Sequence, residues 1–174
     1  DKVFQIQKTF DQKDTSETVL MTNDHIKVGV DLAHGAVISH LSAATNDINV
    51  VNNYDNGRHV QSTITAGPDT WTAWKCKTSD EKPWQARQAG DEMGHRSKIL
   101  EKEYNSTTST LYVKVQPLQW SCSAVPADMI YEQTISLDGT AVWVHTTVHM
   151  KRHDVGKYEK FGMKDLELPS FYIS

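Results

Sequence analysis

Long apolar runs are missing from this 174-residue chain; none approaches the roughly 20 residues that a helix needs to cross a bilayer. No membrane partner is expected. A basic stripe is missing as well. Lys and Arg are scattered and the formal net charge is -4, so nucleic acid is not expected as a partner either. There is no Gly-x-Ser-x-Gly, no glycine-rich loop to cradle a phosphate and no obvious partner for Cys76 as a nucleophile. Serine and cysteine hydrolases and nucleotide enzymes are poor candidates for that reason.

Cysteine is scarce: Cys76 and Cys122 suit one disulfide or two buried thiols equally well, and they are too far apart for a zinc signature. His34, His40 and His153 add no metal-ligand spacing. His145 and His149, four apart along a strand, would stand roughly 13 Å from each other and cannot share an ion. Asp55-Asn56-Gly57 lacks a complete calcium-ligand pattern. No metal and no cofactor are expected. Internal repeats, low-complexity linkers and capped amphipathic helices are also missing; the nearest helix pattern, Trp84 to Met93, is interrupted by Gly90.

What is present is period-2 alternation. From Thr140 to Met150, Val142, Val144, Thr146 and Val148 form one face and Trp143, His145, Thr147 and His149 the other. Leu111 to Val115 and Ile130 to Leu137 alternate similarly, and Leu137-Asp138-Gly139-Thr140-Ala141 signals a tight hairpin. Thr18 to Thr22, His25 to Asp31 and Ala36 to Leu41 read as short strands, with a further one between Val3 and Phe10. The expectation is an all-β fold: one antiparallel β-sandwich domain over residues 1–174. Alternation lapses from Asn52 to Arg96, a length that marks a functional or a disordered segment. Trp71, Trp74 and Trp84 within it argue against disorder. The final residues, Glu167 to Ser174, read as a strand just beginning, so the sandwich is expected to continue in a longer polypeptide or to be completed by a second chain or another copy.

Two polar clusters carry chemistry. In the first, Asn53, Asp55 and Arg58 surround a Gly57 turn, where planar amide, carboxylate and guanidinium groups suit adjacent sugar hydroxyls. The same residues also suit plain Asx-turns with Arg58 paired to a carboxylate. In the second, Trp84, Gln88, Asp91 and His95 lie on a glycine-flanked stretch, where an aromatic ring can stack on a pyranose and polar groups can take its rim hydroxyls. A structural loop anchored by tryptophan is the alternative there. His95 with Asp91 is a candidate acid–base pair, because imidazole titrates near neutral pH.

Several features lean towards a secreted, extracellular setting. The chain begins at Asp1 rather than Met, as a mature N-terminus would after removal of a signal segment, and as an arbitrary cut would too. Asn105-Ser106-Thr107 is a glycosylation sequon in a polar stretch, and the Cys76/Cys122 pair matches one disulfide in number.

The run Asn23 to Asp31, then Gly35-Ala36-Val37-Ile38, then Asn49 to Arg58, with Gln88-Ala89-Gly90-Asp91 and Glu167-Leu168-Pro169 later, resembles secreted proteins with a galactose-mutarotase-like β-supersandwich. The resemblance implies an antiparallel sandwich with a sugar-facing concave side and a carbohydrate partner. Mutarotases use a His and a Glu as acid and base, which points to His95 with Asp91 or with Glu167. The chain is shorter than a full supersandwich, so recognition is a firmer expectation than a mutarotase-, epimerase- or lyase-like turnover. The rival class is a structural or interaction subunit of an extracellular assembly, joined through an exposed edge strand.

Overall fold

The computed structural model describes residues 6–7, 18–66, 84–151 and 163–170. They form twelve strands: β1 (Ile6–Gln7), β2 (Thr18–Thr22), β3 (Ile26–Asp31), β4 (Val37–Ala43), β5 (Gln61–Ala66), β6 (Trp84–Arg87), β7 (Lys98–Asn105), β8 (Thr110–Gln116), β9 (Leu118–Gln119), β10 (Met129–Asp138), β11 (Ala141–Met150) and β12 (Met163–Ser170). A single 3-10 turn, Leu32–His34, follows β3, and the described residues contain no α-helix. The strands make three four-stranded sheets, ordered β1-β2-β3-β4, β11-β10-β8-β7 and β12-β5-β6-β9, with every recorded pairing antiparallel. The fold is all-β and sandwich-like.

One core joins the three sheets. Val19, Met21, Val28 and Val30 come from β2 and β3, Ile64 and Ala86 from β5 and β6, and Val113, Met129, Tyr131 and Ile135 from β8 and β10. Each fully buried aliphatic or Met side chain among them contributes on the order of 1.5–3 kcal/mol of transfer free energy. The sheets are also tied by polar contacts. Ile38 and Val60 exchange two backbone hydrogen bonds at 3.0 and 3.1 Å, and the buried Tyr131 hydroxyl donates to the Ala86 carbonyl at 3.2 Å. Burial pushes that phenol well above its ordinary pKa, so it stays a donor.

The β10–β11 hairpin turns where Asp-Gly predicts: Asp138 pairs with Ala141 and the register runs unbroken to Met129 with Met150. Val142, Val144, Thr146 and Val148 are the half-covered face and Trp143, His145, Thr147 and His149 the exposed one. In the first sheet β2 coincides with the expected strand, β3 starts at Ile26 and β4 spans Val37–Ala43. Of the strand expected between Val3 and Phe10, Ile6–Gln7 is observed and the rest lies outside the described residues.

The stretch read as irregular from Asn52 to Arg96 contains two regular strands, β5 and β6, and this corrects the reading. Both faces of β5 are buried, one polar (Gln61, Thr63, Thr65) and one mixed (Ser62, Ile64), so no apolar–polar alternation exists to be seen. β7 was not expected either. A register shift between Ile99 and Glu101 puts Ile99 and Tyr104, an odd and an even position, against the core, which breaks the period of two. The C-terminal strand begins four residues before Glu167 and pairs with β5; residues 171–174 lie outside the described part.

Candidate functional site

The segment 88–97 leaves β6 as a tight loop. Asp91 N–H donates to the His95 carbonyl at 3.0 Å, and Ser97 N–H to the Ala89 carbonyl at 3.2 Å. Gly90, at φ 146°, lets the strands close: a Cβ there would stand 1.9 Å from the His95 carbonyl oxygen. The Asp91 side chain is wholly buried at 0% exposure. It accepts from Met93 N–H (3.0 Å), His95 N–H (2.9 Å), Ala124 N–H (2.7 Å) and the His95 ring at Nδ1 (2.8 Å). Burial alone would raise the Asp91 pKa, but these donors, Ala124 first, outweigh it and hold the carboxyl below its ordinary value. His95 itself is 46% exposed. Nδ1 is thus held on a buried carboxylate while the ring is half-exposed, the kind of partner that orients an imidazole.

The loop 120–124 packs on this one. Glu92 N–H donates to the Trp120 carbonyl at 2.9 Å, and the Ala124–Asp91 bond clamps the same segment. On its other side Trp120 carries the Arg87 guanidinium 4.4 Å above its ring, while Arg87 Nη1 donates to the Gly57 carbonyl at 3.2 Å. The Trp120 ring edge comes within 3.0 Å of where a Gly57 Cβ would stand, so this loop approaches only as glycine allows. The stretches 53–58, 90–95 and 120–124, separate in sequence, thus meet around one Arg–Trp stack. Trp120 and Arg87 were not singled out in the sequence; a tryptophan in the polar stretch Leu118-Gln119-Trp120-Ser121 was the signal available.

The expected residues are placed as follows. Asn53 donates to the Ser39 carbonyl at 2.8 Å and is otherwise exposed. Asp55 accepts from Gly57 N–H (2.8 Å) and Arg58 Nε (3.2 Å), and the Arg58 guanidinium lies 5.3 Å over the exposed Tyr54 ring. Within the loop this is the Asx-turn and carboxylate pairing that the sequence also allowed, with both charged groups still open to solvent. Gln88 points inward and is 1% exposed. Its amide donates to the Gly35 carbonyl and to Gln133, its oxygen accepts from Ser62 N–H, and Gln133 continues the network to Ser62 and Thr146. Gln88 therefore ties three sheets together from inside. Trp84 opens β6 opposite Ala66. Cys122 is buried, Asn105 is exposed as the last residue of β7, and Cys76 lies outside the described residues.

The polar face of β5 and β6 adjoins the Arg–Trp stack. Thr63 pairs with Arg87 and Thr65 with Gln85, and on the other side Thr63 pairs with Glu167 and Thr65 with Asp165. Register thus sets Glu167, Thr63 and Arg87 in one row and Asp165, Thr65 and Gln85 in the next. Thr63 Oγ1 and Gln85 Oε1 are buried with no hydrogen-bond partner among the described residues, an exceptional state for interior polar atoms. No group of three or more His, Cys, Asp or Glu among the described residues is arranged to hold a metal, and no described helix is long and apolar enough to span a membrane.

The architecture defines a β-sandwich with a polar loop cluster against one sheet. No family model and no curated protein matches the chain. Among solved structures it is similar to the crystal structure of 4-alpha-glucanotransferase from Thermococcus litoralis, with TM-score 0.51 and 12% identity over 80% of this chain. The chain spans 23% of that protein's length, so the likeness is one of fold with part of a carbohydrate-active enzyme. The comparison reaches a β-rich fold and not the galactose-mutarotase-like family itself.

Proposed function

We propose that the chain is a carbohydrate-recognising β-sandwich whose ligand lies across the junction of residues 53–58, 90–95 and 120–124. The observation that carries this reading is the convergence of the two polar clusters on the Arg87–Trp120 stack. Arg58 and Asp55 supply exposed bidentate groups, Trp120 supplies aromatic surface, and the half-exposed His95 supplies an imidazole held on a buried carboxylate. The name of the structural neighbour supports α-glucan as the first class to test. Turnover, in this reading, uses His95 held by Asp91, with Glu167 in the row of Thr63 and Arg87 as a second carboxyl. Tryptophan fluorescence titrated with maltoheptaose tests recognition. Saturation that Arg58→Ala weakens about tenfold, as loss of a bidentate contact implies, supports the reading. A folded protein with no response sinks the α-glucan class.

The extracellular setting belongs to the same proposal, with Asn105 glycosylated and Cys76 bonded to Cys122. Intact mass before and after deglycosylation and reduction checks both.

A second reading has its own support: β11 is a ten-residue edge strand with Trp143 63% exposed and Met150 beside the end of the sheet, and β12 is an edge of its own sheet. Such edges accept a strand from another chain. A defined oligomer by light scattering promotes the assembly role; a monomer at all concentrations removes it.

A further inference from the structure

Six edge strands bound the three sheets among the described residues. An unpaired edge is a template for another strand, and proteins blunt it by shortness, cover, charge, proline or a bulge. All but one of these edges are blunted in such a way. β1 and β9 are two residues long, and β9 is covered where Gln119 N–H donates to the Val125 carbonyl at 2.8 Å. β4 is covered by the chain from 49 to 60. Val50 N–H donates to the Leu41 carbonyl at 3.0 Å, the Asn49 and Asn53 amides donate to the Ser39 carbonyl, and Ile38 bridges to Val60. β7 carries Lys98, Glu101, Lys102 and Glu103, with a register shift between Ile99 and Glu101. β12 carries Lys164, Asp165, Glu167 and Pro169, and its register with β5 is also irregular.

β11 has none of these devices. It is ten residues long, pairs with β10 without a break from Ala141 to Met150, and contains no Asp, Glu, Lys, Arg or Pro. No described strand lies against its outer edge. Val142, Val144 and Val148 on its core side are only partly buried, Met150 is 52% exposed, and Trp143 on the opposite face is 63% exposed. An uncharged strand can pair with its own copy without setting like charges together. A two-fold axis normal to the sheet makes that pairing antiparallel, and since paired residues share a face, one residue lies on the axis opposite itself. An axis through His145 sets that histidine against itself, and one through Thr147 sets His145 against His149. An axis through Thr146 opposes no two histidines. It puts Val144 against Val148, Val142 against Met150 and Trp143 against His149, so both exposed apolar side chains gain a cross-strand neighbour.

We propose that β11 is a dimerisation edge whose partner is β11 of a second copy of this chain, antiparallel and centred on Thr146, so that two four-stranded sheets become one continuous sheet. This rests on the assembly reading above and names its partner and register. The Arg87–Trp120 junction takes no part in it.

Sedimentation equilibrium of the whole chain over a dilution series reads the mass, and charges placed across the seam read the register. Trp143→Lys with His149→Lys sets lysine against lysine on both sides of the axis. Trp143→Glu with His149→Lys sets opposite charges at the same places. Within one chain the two positions lie roughly 20 Å apart along the strand, so they meet only across the seam. Wild type is expected to reach the mass of two chains. The all-lysine variant self-associates at least about tenfold more weakly, and the Glu–Lys variant returns to within about threefold of wild type. If circular dichroism shows these variants unfolded, His145 and Thr147, the next row, take the same substitutions. A wild-type dimer that both variants keep equally or lose equally overturns this edge and register while the assembly reading stands, and so does a defined oligomer larger than two. Wild type that stays a single chain at every concentration overturns the assembly reading and this inference together.

Discussion

Replacing Asp91 with Ala asks the loop 90–95 to stand without the carboxylate that organises it. Three backbone N–H groups, from Met93, His95 and Ala124, and the His95 ring lose their acceptor at once. A buried donor left unmade costs about 1–3 kcal/mol, and rehydration of an exposed loop recovers part of that, so the net loss is about 3–5 kcal/mol. Asp91→Asn keeps one acceptor oxygen for Met93 and His95 and loses about half as much. His95→Ala removes a ring that is half in solvent and shifts stability by under ~1 kcal/mol. Urea unfolding followed by tryptophan fluorescence reads all three. If Asp91→Ala unfolds within about 0.5 kcal/mol of wild type, the carboxylate does not organise the loop and the argument for a pre-set His95 fails. If His95→Ala destabilises as much as Asp91→Ala, the imidazole is a structural strut and not a presented group.

Other expectations follow from the same structure. Gly90→Ala places a Cβ against the His95 carbonyl at a backbone angle unsuited to it, so circular dichroism melts are expected to show a loss of at least about 2 kcal/mol. Stability falls in acid in two stages. The folded-state pKa of His59 is held below its ordinary 6.5, by burial first and by His34 next, so the unfolded chain binds that proton more readily; the contribution is intact above 6.5 and fades as pH drops below it. The carboxyls of Asp31 and Asp91 are also held low, against the opposing effect of their burial, so their contribution is present above 3.8 and is lost as pH falls further. Denaturant midpoints measured from pH 8 to pH 3 check the order, and His59→Phe removes the first stage only. Trp143→Ser, on the exposed face of β11, leaves monomer stability within about 0.5 kcal/mol and reports, by light scattering, whether that edge holds a partner.

The parts of the fold legible in the sequence are those where one face meets the core and the other meets water. β10 and β11 alternate cleanly because Val144 and Ile135 lie inward while His145 and Thr134 lie outward, and Asp138-Gly139 fixes their register. β5 was hidden because its two faces are both buried and largely polar, and β7 because a bulge inverts its phase. The site was half legible. Asx-forming and charged residues at 53–58 and 91–95 marked polar loops, but their meeting depends on Trp120 and Arg87, brought together by sheet pairing that no local pattern encodes. The buried network of Gln88 was not legible: the same amide that suits a sugar rim also suits an interior network, and its neighbours Ser62 and Gln133 lie 26 and 45 residues away in sequence.

The most direct measurement is a glycan-array screen of the purified protein, with Trp120→Ala and Arg58→Ala screened alongside after circular dichroism confirms that each is folded. Saturable binding to a defined glycan class by wild type, lost or cut about tenfold in both variants, is the expected result. A folded wild type that binds no glycan, or one whose binding both variants retain in full, contradicts a sugar site at this junction.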